Sequence, residues 1–467
     1  MKKVIRLIMV GVLSSAMLIG CKPKDDAPEP ATGDNVLSGN LETQTLDASK
    51  VYTLKGLVYV NAGKVLTIPA GTVIKGDKAS KASLVINRGG KIMAKGTATN
   101  PIIFTSNAPA TFKNYGDWGG LIICGKAPNN KAVNQTIEGP ADFDVANNTG
   151  NGIYGGTDNA DNSGVLSYVR LEFGGIVYGP DKEINGLTLG SVGSGTTIDH
   201  VQVSYSGDDA IEWFGGSVNC KNLVVFRTWD DDFDTDFGYS GNVQFGVSMR
   251  DRASADVSGS NGFESDNNNT GGGDLPLTSA KFSNITIMGP LVYTQTLVDL
   301  SYAAGMHLRR NTKLSVQNSI IAGYPTSANF DKYNTTVAGL VKNNLYGSWK
   351  AANSSNANGA LFTQGTVSTS DTTGFWAANK FASVSSATSA AQIFQLTLDA
   401  TTGAPILSSG NANQAATSKG LTGASFTDLT DPFFTPTTYL GAMGTTPDAA
   451  WGWTSGWLNF TPENTSY

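Results

Sequence analysis

Short apolar segments recur along this chain, and polar or glycine-rich segments separate them. One six-residue pattern is repeated: an apolar residue, a polar residue, then Asn, His or Tyr, and then mostly an apolar residue, any residue and an aliphatic residue. It occupies residues 166–171, 198–203, 220–225, 282–287 and 316–321. The copies that start at 198 and 220 lie 22 residues apart, and the other spacings are longer, as expected if loops of different length are inserted.

The N-terminal region has its own version of this repeat. Residues 58–63 (Val-Tyr-Val-Asn-Ala-Gly) recur as residues 84–89 (Leu-Val-Ile-Asn-Arg-Gly). Short apolar strands, a polar corner residue and a period in the low twenties predict an all-β fold, a right-handed parallel β-helix built as a single solenoid. An antiparallel β-sandwich array would need hairpin signals such as Asn-Gly between paired strands, and these do not dominate.

The extent of the repeat predicts the boundaries of the fold. We expect the β-helix to cover residues 36–324. Residues 325–467 lose the repeat, and they predict irregular, loop-rich later coils with a C-terminal cap. We expect Trp451, Trp453 and Trp457 to cover the last coil, because an open end of a β-helix exposes unpaired strands.

The N-terminus predicts export and membrane anchoring. A basic start and an apolar run over residues 7–19, too short to span a membrane, are typical of a signal peptide, here residues 1–20. Leu18-Ile19-Gly20-Cys21 resembles a bacterial lipoprotein box, which implies cleavage before Cys21 and lipidation of that residue. Residues 21–35 would then be a lipidated N-terminus and a flexible tether.

Two further resemblances bear on location and fold. Lys22-Pro23-Lys24-Asp25-Asp26 resembles the export signal of Bacteroidota lipoproteins, which implies a position on the outer face of the outer membrane. The coil repeat, together with Asp117-Trp118-Gly119-Gly120, resembles a family of β-helix surface lipoproteins in Bacteroidota and, remotely, the pectin-lyase-like β-helix superfold. The first of these families implies no particular chemistry, so the resemblance predicts fold and location only.

Composition restricts the classes of partner that the sequence predicts. The net charge is −6 and there is no basic run beyond residue 6, so nucleic acid is not an expected partner. Cys124 and Cys220 lie in apolar, strand-like runs, which favours buried free thiols over a disulfide.

A second repeated motif carries the candidate chemistry. Residues 211–214 (Ile-Glu-Trp-Phe) align with residues 233–236 (Phe-Asp-Thr-Asp) at the same offset of 22, and residues 263–266 and 306–309 follow the same pattern. Alternate side chains of a strand point to opposite faces, so an apolar first position in the core turns the second position outwards. The predicted binding residues on this outer face are Glu212, Asp230, Glu264, His307, Arg309 and Arg310.

Acidic residues concentrate in the second copy. Asp230, Asp232, Asp234 and Asp236 occupy every second position, which predicts that all four line one outer face. By the same alignment Asp208 falls beside Asp230, and Asp209 beside Asp231. Neighbouring coils lie about 4.8 Å apart, and two charges at that distance repel by roughly 1 kcal/mol even in bulk water. The sequence therefore predicts that a cation, a proton or nearby arginines neutralise these carboxylates.

Calcium is the cofactor that this pattern favours, because Ca²⁺ prefers oxygen ligands. The candidate ligands are Asp232, Asp234, Asp236 and Asp266. An EF-hand is excluded, because Gly238 comes one position late and Val243 occupies the place of the required glutamate. Pairing with arginines and simple solvation of the carboxylates remain alternatives to a metal.

An enzyme is the alternative function. Residues 206–210 (Ser-Gly-Asp-Asp-Ala) resemble the paired-aspartate element of polygalacturonase-like hydrolases, but the Gly-His-Gly and Arg-Ile-Lys elements of those enzymes are missing. A uronate lyase would instead use Ca²⁺ with a basic residue. In either case the candidate catalytic residues are Asp208, Asp209 and Arg309, whereas His200 falls at the corner of the repeat and is expected to be structural.

These patterns together favour a non-catalytic protein. We expect a lipid-anchored, cell-surface β-helix that acts as a binding or structural module and is stabilised by calcium. The expected partners are the membrane, through the lipid, and a glycan or an outer-membrane protein.

Overall fold

The computed structural model of the protein describes residues 35–131, 134–140, 143, 150–179, 182–292, 297–348, 361–364, 377–383, 390–396, 412–446 and 456–467. Contacts divide the chain into Met1–Gly33 and Asp34–Tyr467, and all the structure below belongs to the second unit. The predicted signal peptide, Cys21 and the tether up to residue 34 lie outside the described residues. Within the described part of the chain, no helix has the length and apolar character needed to cross a membrane.

Short strands dominate the described residues, and none is longer than ten residues. They are β1 (Val36–Leu41), β2 (Gln44–Thr45), β3 (Val51–Val60), β4 (Val65–Ile68), β5 (Val73–Gly76), β6 (Ser83–Ile86), β7 (Lys91–Lys95), β8 (Ile102–Ser106), β9 (Gly120–Cys124), β10 (Gln135–Thr136), β11 (Ile153–Tyr154), β12 (Gly164–Glu172), β13 (Val177–Gly179), β14 (Lys182–Glu183), β15 (Leu187–Val192), β16 (Thr197–Ser204), β17 (Ile211–Gly216), β18 (Asn219–Phe226), β19 (Phe233–Asp236), β20 (Asn242–Met249), β21 (Phe263–Ser265), β22 (Lys281–Met288), β23 (His307–Arg309), β24 (Ser315–Gln317), β25 (Ile320–Ala322), β26 (Ala328–Asp331), β27 (Val341–Lys342), β28 (Leu345–Ser348), β29 (Leu361–Gln364) and β30 (Lys380–Ser383). Short 3₁₀ turns cover Pro290–Val292, Lys419–Leu421 and Pro462–Asn464.

Parallel pairing stacks twenty-six of these strands into three sheets around one apolar core, and this confirms the predicted right-handed parallel β-helix. The other four form two small antiparallel pairs outside the stack, β10 with β11 and β13 with β14. The first sheet contains β2, β4, β7, the first halves of β12, β16, β18, β20 and β22, and then β24 and β27. The second sheet contains the first half of β3, then β5, β8, the second halves of the same long strands, β25, β28 and β30. The third, which we call the cleft sheet, contains the end of β3 and then β6, β9, β15, β17, β19, β21, β23, β26 and β29.

A single corner residue turns the chain from the first sheet into the second. In successive coils this residue has a positive φ of 51° to 63°, a region that Asn and His tolerate better than most residues. The corner residues are Tyr168, His200, Asn222, Phe245, Asn284, Asn318 and Asn343. The third position of the sequence repeat is therefore a backbone corner, as predicted, and His200 stacks on Tyr168 there with ring centroids 4.2 Å apart.

The C-terminal segment packs along this corner. The side-chain amides of Asn318, Gln244 and Gln202 each donate to the carbonyl and accept from the N–H of one residue in that segment. Their partners are Ser425, Thr435 and Asn459, so later residues of the segment meet earlier coils.

One predicted cap residue is consequently misplaced. Trp457 is fully buried, and its ring meets those of Tyr168 and His200 edge-on in the middle coils of the β-helix. The prediction that Trp457 covers the last coil was therefore wrong. The corner rings offer its indole an apolar aromatic site that the sequence repeat alone does not indicate. Trp451 and Trp453 lie outside the described residues. The predicted state of the cysteines is confirmed, because Cys124 and Cys220 are buried free thiols.

Candidate functional site

The strands of the cleft sheet align the second sequence motif as predicted. Ile211 pairs with Phe233 and Phe233 with Phe263, and all three side chains are buried in the core. One position later, Glu212, Asp234, Glu264 and His307 are register partners in successive coils. Because the side chains alternate, these four point away from the core and form one outward column.

The loops that precede these strands of the cleft sheet place further carboxylates beside this column. The backbone N–H of Asp231 donates to Asp209 at 2.7 Å, so the two loops stack with the predicted offset of one coil. The result is a cleft of about 1310 Å³. Ten carboxylates of the described residues line it: Glu138, Glu183, Asp208, Asp209, Glu212, Asp230, Asp231, Asp234, Asp256 and Glu264.

Two groups of three carboxylates in the cleft are close enough to share one ion. The first is Asp208, Asp209 and Asp230, and the second is Asp209, Glu212 and Asp234; within each, the oxygens lie within 4.8 Å of one another. Ca²⁺ binds oxygens at about 2.3–2.6 Å, so opposite ligands of one ion are separated by about 4.8 Å. One oxygen of Asp230 and one of Asp234 are buried without a hydrogen-bond partner among the residues that the structure describes. The all-oxygen donor set and these unpartnered oxygens fit a hard cation.

Electrostatics also indicate that the carboxylates of the two triads repel one another. Burial raises the pKa of Asp208, Asp209, Glu212 and Asp234 well above the usual range, and neighbouring carboxylates raise it further. Burial likewise raises the pKa of Asp230 to about 6, with Asp256 adding to the effect. A proton or a bound cation would relieve this repulsion.

The arginines of the cleft are already engaged beside the column. Arg309 contacts Glu264 and lies 3.0 Å from Asp266, and Arg310 lies 2.9 Å from Asp266. Burial alone would raise the pKa of Glu264, but the hydrogen bond from His307 and the charge of Arg309 outweigh it and lower that pKa. Glu264 is therefore the neutralised end of the column, and among the described residues no salt bridge joins an arginine to a carboxylate of either triad.

One predicted ligand lies in the core instead of the cleft. Asp232 is 0% exposed, and its carboxylate lies 2.9 Å from the guanidinium of Arg250, which is also buried. The prediction that Asp230, Asp232, Asp234 and Asp236 share one outer face was therefore wrong. Strand β19 begins only at Phe233, so the alternation of side chains does not extend back to residues 230–232.

The remaining predicted site residues fall into two groups. Those that line the cleft are Asp208, Asp209, Glu212, Asp230, Asp234, Glu264, His307, Arg309 and Arg310. Asp236 and Asp266 are next to the column but do not line the cleft, and Asp266 is held by the two arginines. Of the four predicted metal ligands, only Asp234 belongs to a triad, and its role as a ligand stays a prediction.

Sequence reasoning missed the walls of the cleft. Three of these wall residues, Glu138, Asp256 and Tyr115, come from inserted loops, and Glu183 comes from the inserted strand β14. These insertions have no register with the repeat, so no spacing indicates where they fold. Trp229 could have been found, because it directly precedes the acidic run at Asp230. Its ring meets that of Tyr115 edge-on at a centroid distance of 5.4 Å, and we call this pair the aromatic shelf.

Fold and cleft together define a parallel β-helix protein with an acidic cleft on one sheet. The sequence profile of the pectate-lyase-like beta helix domain family matches residues 39–403, and the chain belongs to that family. No curated protein and no solved structure matches the chain. The family relationship supports the superfold and is compatible with either a binding protein or an enzyme.

Proposed function

We propose that this protein is a lipid-anchored, cell-surface binding module whose cleft holds calcium and, through it, a ligand such as a glycan or an outer-membrane protein. The observation that carries the proposal is the pair of carboxylate triads that share Asp209. Burial and, after it, the charges of neighbouring carboxylates raise the pKa of Asp209, and a divalent cation would stabilise the ionised form against both effects.

The charge of the cleft favours binding of cations over turnover of a polyuronate. A polyuronate would bring carboxylates to a surface that already holds ten. Among the described residues, the lysines and arginines that line the cleft are Arg309 and Arg310. Both are paired with acidic residues. Such a substrate would therefore depend on bridging cations.

A thermal unfolding experiment tests the calcium site. The protein without its first 21 residues keeps the whole compact unit Asp34–Tyr467 and can be heated with Ca²⁺ or with a chelator. Calcium at 100 times its Kd should stabilise the fold by about 2.7 kcal/mol, which raises Tm by a few degrees.

The matched variants are Asp209→Asn and Asp158→Asn. Asp209→Asn should lose the calcium response, because Asp209 belongs to both triads. Asp158 is exposed and outside the cleft, so Asp158→Asn should keep the response. A wild-type protein that ignores calcium, or an Asp209→Asn protein that responds like wild type, would overturn the site.

The anchor needs a separate test. Metabolic labelling with a fatty acid should mark the full chain, and Cys21→Ser should abolish the label and release the protein from membranes. A labelled Cys21→Ser protein would contradict the proposed attachment.

Glycoside cleavage is the second candidate function. Asp208, Asp209 and Asp230 place three carboxyl oxygens within 4.8 Å, and a carboxyl group with a raised pKa beside an ionised one is the combination used for acid–base hydrolysis. Incubation with polygalacturonate should yield reducing ends or unsaturated products if this is correct, and Asp209→Asn or neutralised Arg309 should remove them. Saturable binding without product supports the binding module.

A further inference from the structure

The aromatic shelf gives the acidic cleft an apolar side. Trp229 is 36% exposed, and both Trp229 and Tyr115 line the cleft. The backbone of Trp229 is fixed by hydrogen bonds to Ser206 at 2.9 Å and from Asp256 at 3.2 Å. The Tyr115 hydroxyl donates to Ser254 at 2.9 Å. These hydrogen bonds fix the position of the aromatic shelf, which can receive the flat face of a ring.

The charge beside this shelf exceeds what one calcium ion can neutralise. In the part of the lining that the structure describes, ten carboxylates against Arg309 and Arg310 give a formal charge of −8 when all are ionised, and one Ca²⁺ leaves −6. Asp256, whose backbone N–H donates to the Trp229 carbonyl, lies outside both triads. Asp230, which follows Trp229 directly, belongs to the first triad alone, so it is not a ligand when calcium occupies the second. A ligand on the shelf therefore meets a field that favours positive charge.

The floor of the cleft disfavours an extended peptide. The strands β17, β19, β21 and β23 each have a parallel partner on both sides. They offer no free strand edge to which a peptide backbone could add. The volume of about 1310 Å³ exceeds that of a pocket for one drug-sized molecule, so it suits several linked rings.

We propose that the cleft binds an oligosaccharide that carries free amino groups, with a sugar ring on Trp229 and its amines toward Asp230 and Asp256. This inference rests on the proposed function as a cation-binding cleft and names the class of its ligand. The indole face contributes a ring contact and a cation–π attraction, and the carboxylates contribute charge-assisted hydrogen bonds. Anionic sugars lack both electrostatic contributions.

Calorimetric titration with matched sugars tests this ligand class. The probes are glucosamine oligomers, N-acetylglucosamine oligomers of the same length and galacturonate oligomers, each with calcium and with chelator. Glucosamine oligomers should bind at least about tenfold more tightly than the acetylated ones, since only their charge and acetyl groups differ. Equal or tighter binding of the acetylated or the galacturonate oligomers overturns the proposal, as does a lack of any binding.

Three variants locate the binding. Trp229→Ala should weaken glucosamine binding at least about tenfold, and Asp256→Asn should weaken it while leaving acetylated oligomers unaffected. Phe112→Ala removes another exposed aromatic ring, which is 76% exposed and outside the cleft, and should change binding less than twofold. Unchanged affinity in Trp229→Ala overturns the role of the shelf.

The calcium response of the same samples separates this inference from the proposed function. A calcium-dependent Tm without amino-sugar binding overturns the ligand class and leaves the calcium site standing. Amino-sugar binding in chelator without any calcium response supports the ligand class and overturns the calcium site. A preserved calcium response in Trp229→Ala also shows that this variant is folded.

Discussion

One column of outward side chains on the cleft sheet is apolar at its N-terminal end and acidic further along. Register partners lead from Tyr59 through Val85, Ile122 and Thr188 to Glu212, and the column continues into the acidic residues of the next coils. The backbone is the same parallel ladder throughout. The difference lies in the side chains alone, and it decides which part of the sheet is covered.

The apolar part of the column is roofed. Inserted segments outside the repeat pack on it with Ile137, Phe143, Tyr154 and Ile184 and form a second hydrophobic cluster outside the main core. Burial of apolar surface stabilises this arrangement by roughly 25 cal/mol per Å². The acidic part cannot attract such a roof, because buried unpaired charge is costly, and it stays open as the cleft. In this β-helix the cleft begins where the outward column stops being apolar.

The strongest test of this comparison is to place a carboxylate in the apolar, covered half of the column. Ile122→Asp puts it in the same column as Glu212, at a fully buried position. We expect destabilisation by at least about 4 kcal/mol, or failure to fold, because the charge has no partner there. Urea unfolding measures this, and Ile122→Val, expected to cost about 0.5–1.5 kcal/mol, is the control.

The acidic half should give the fold an unusual pH dependence. Where the folded pKa of a carboxyl group lies above its unfolded value, the folded state binds more protons between the two, so stability falls as pH rises through that window. In chelator, stability should therefore decrease from about pH 4 through the pKa of Asp230 at about 6 and beyond. Calcium should flatten this decrease. A stability that rises steadily over that range would contradict the account.

Neutralising a single member of the acidic column should stabilise the metal-free protein. Glu212→Gln keeps the shape of the side chain and an acceptor for the Asn185 amide, which donates to Glu212 at 2.5 Å. Relief of repulsion should increase the free energy of unfolding at pH 7 by about 1 to 3 kcal/mol in chelator. Guanidinium unfolding tests this, and a destabilised variant would show that the carboxylate is not repelled.

A carboxylate outside the column should matter least. Glu42 pairs with Lys64 on the surface, and Glu42→Gln should change stability by less than about 1 kcal/mol with little pH dependence. Equal changes in the free energy of unfolding for Glu42→Gln and Glu212→Gln in the same assay would contradict the claim that the carboxylates of the column repel one another.

The sequence predicted what depends on the repeat. The offset of 22 residues correctly placed Asp234 beside Glu212, and the corner pattern correctly placed Tyr168 and His200. It failed where the backbone leaves the repeat. Asp232 lies one residue before its strand and turns into the core to pair with Arg250, which no periodicity signals.

The walls of the cleft and the position of Trp457 are set by long-range packing in the same way. Asp256 and Tyr115 reach the cleft from loops of irregular length, and Trp457 reaches the corner through the returning C-terminal segment. Local patterns cannot encode such contacts, because the interacting residues have no fixed separation in the chain.

The most direct test of the central claim is to locate calcium in crystals. Anomalous diffraction from crystals grown with Ca²⁺ should show a peak about 2.3–2.6 Å from carboxylate oxygens of Asp209 and its triad partners. The same peak should be missing in Asp209→Asn crystals. Saturating calcium with no peak in the cleft, or with a peak only elsewhere, would contradict the account.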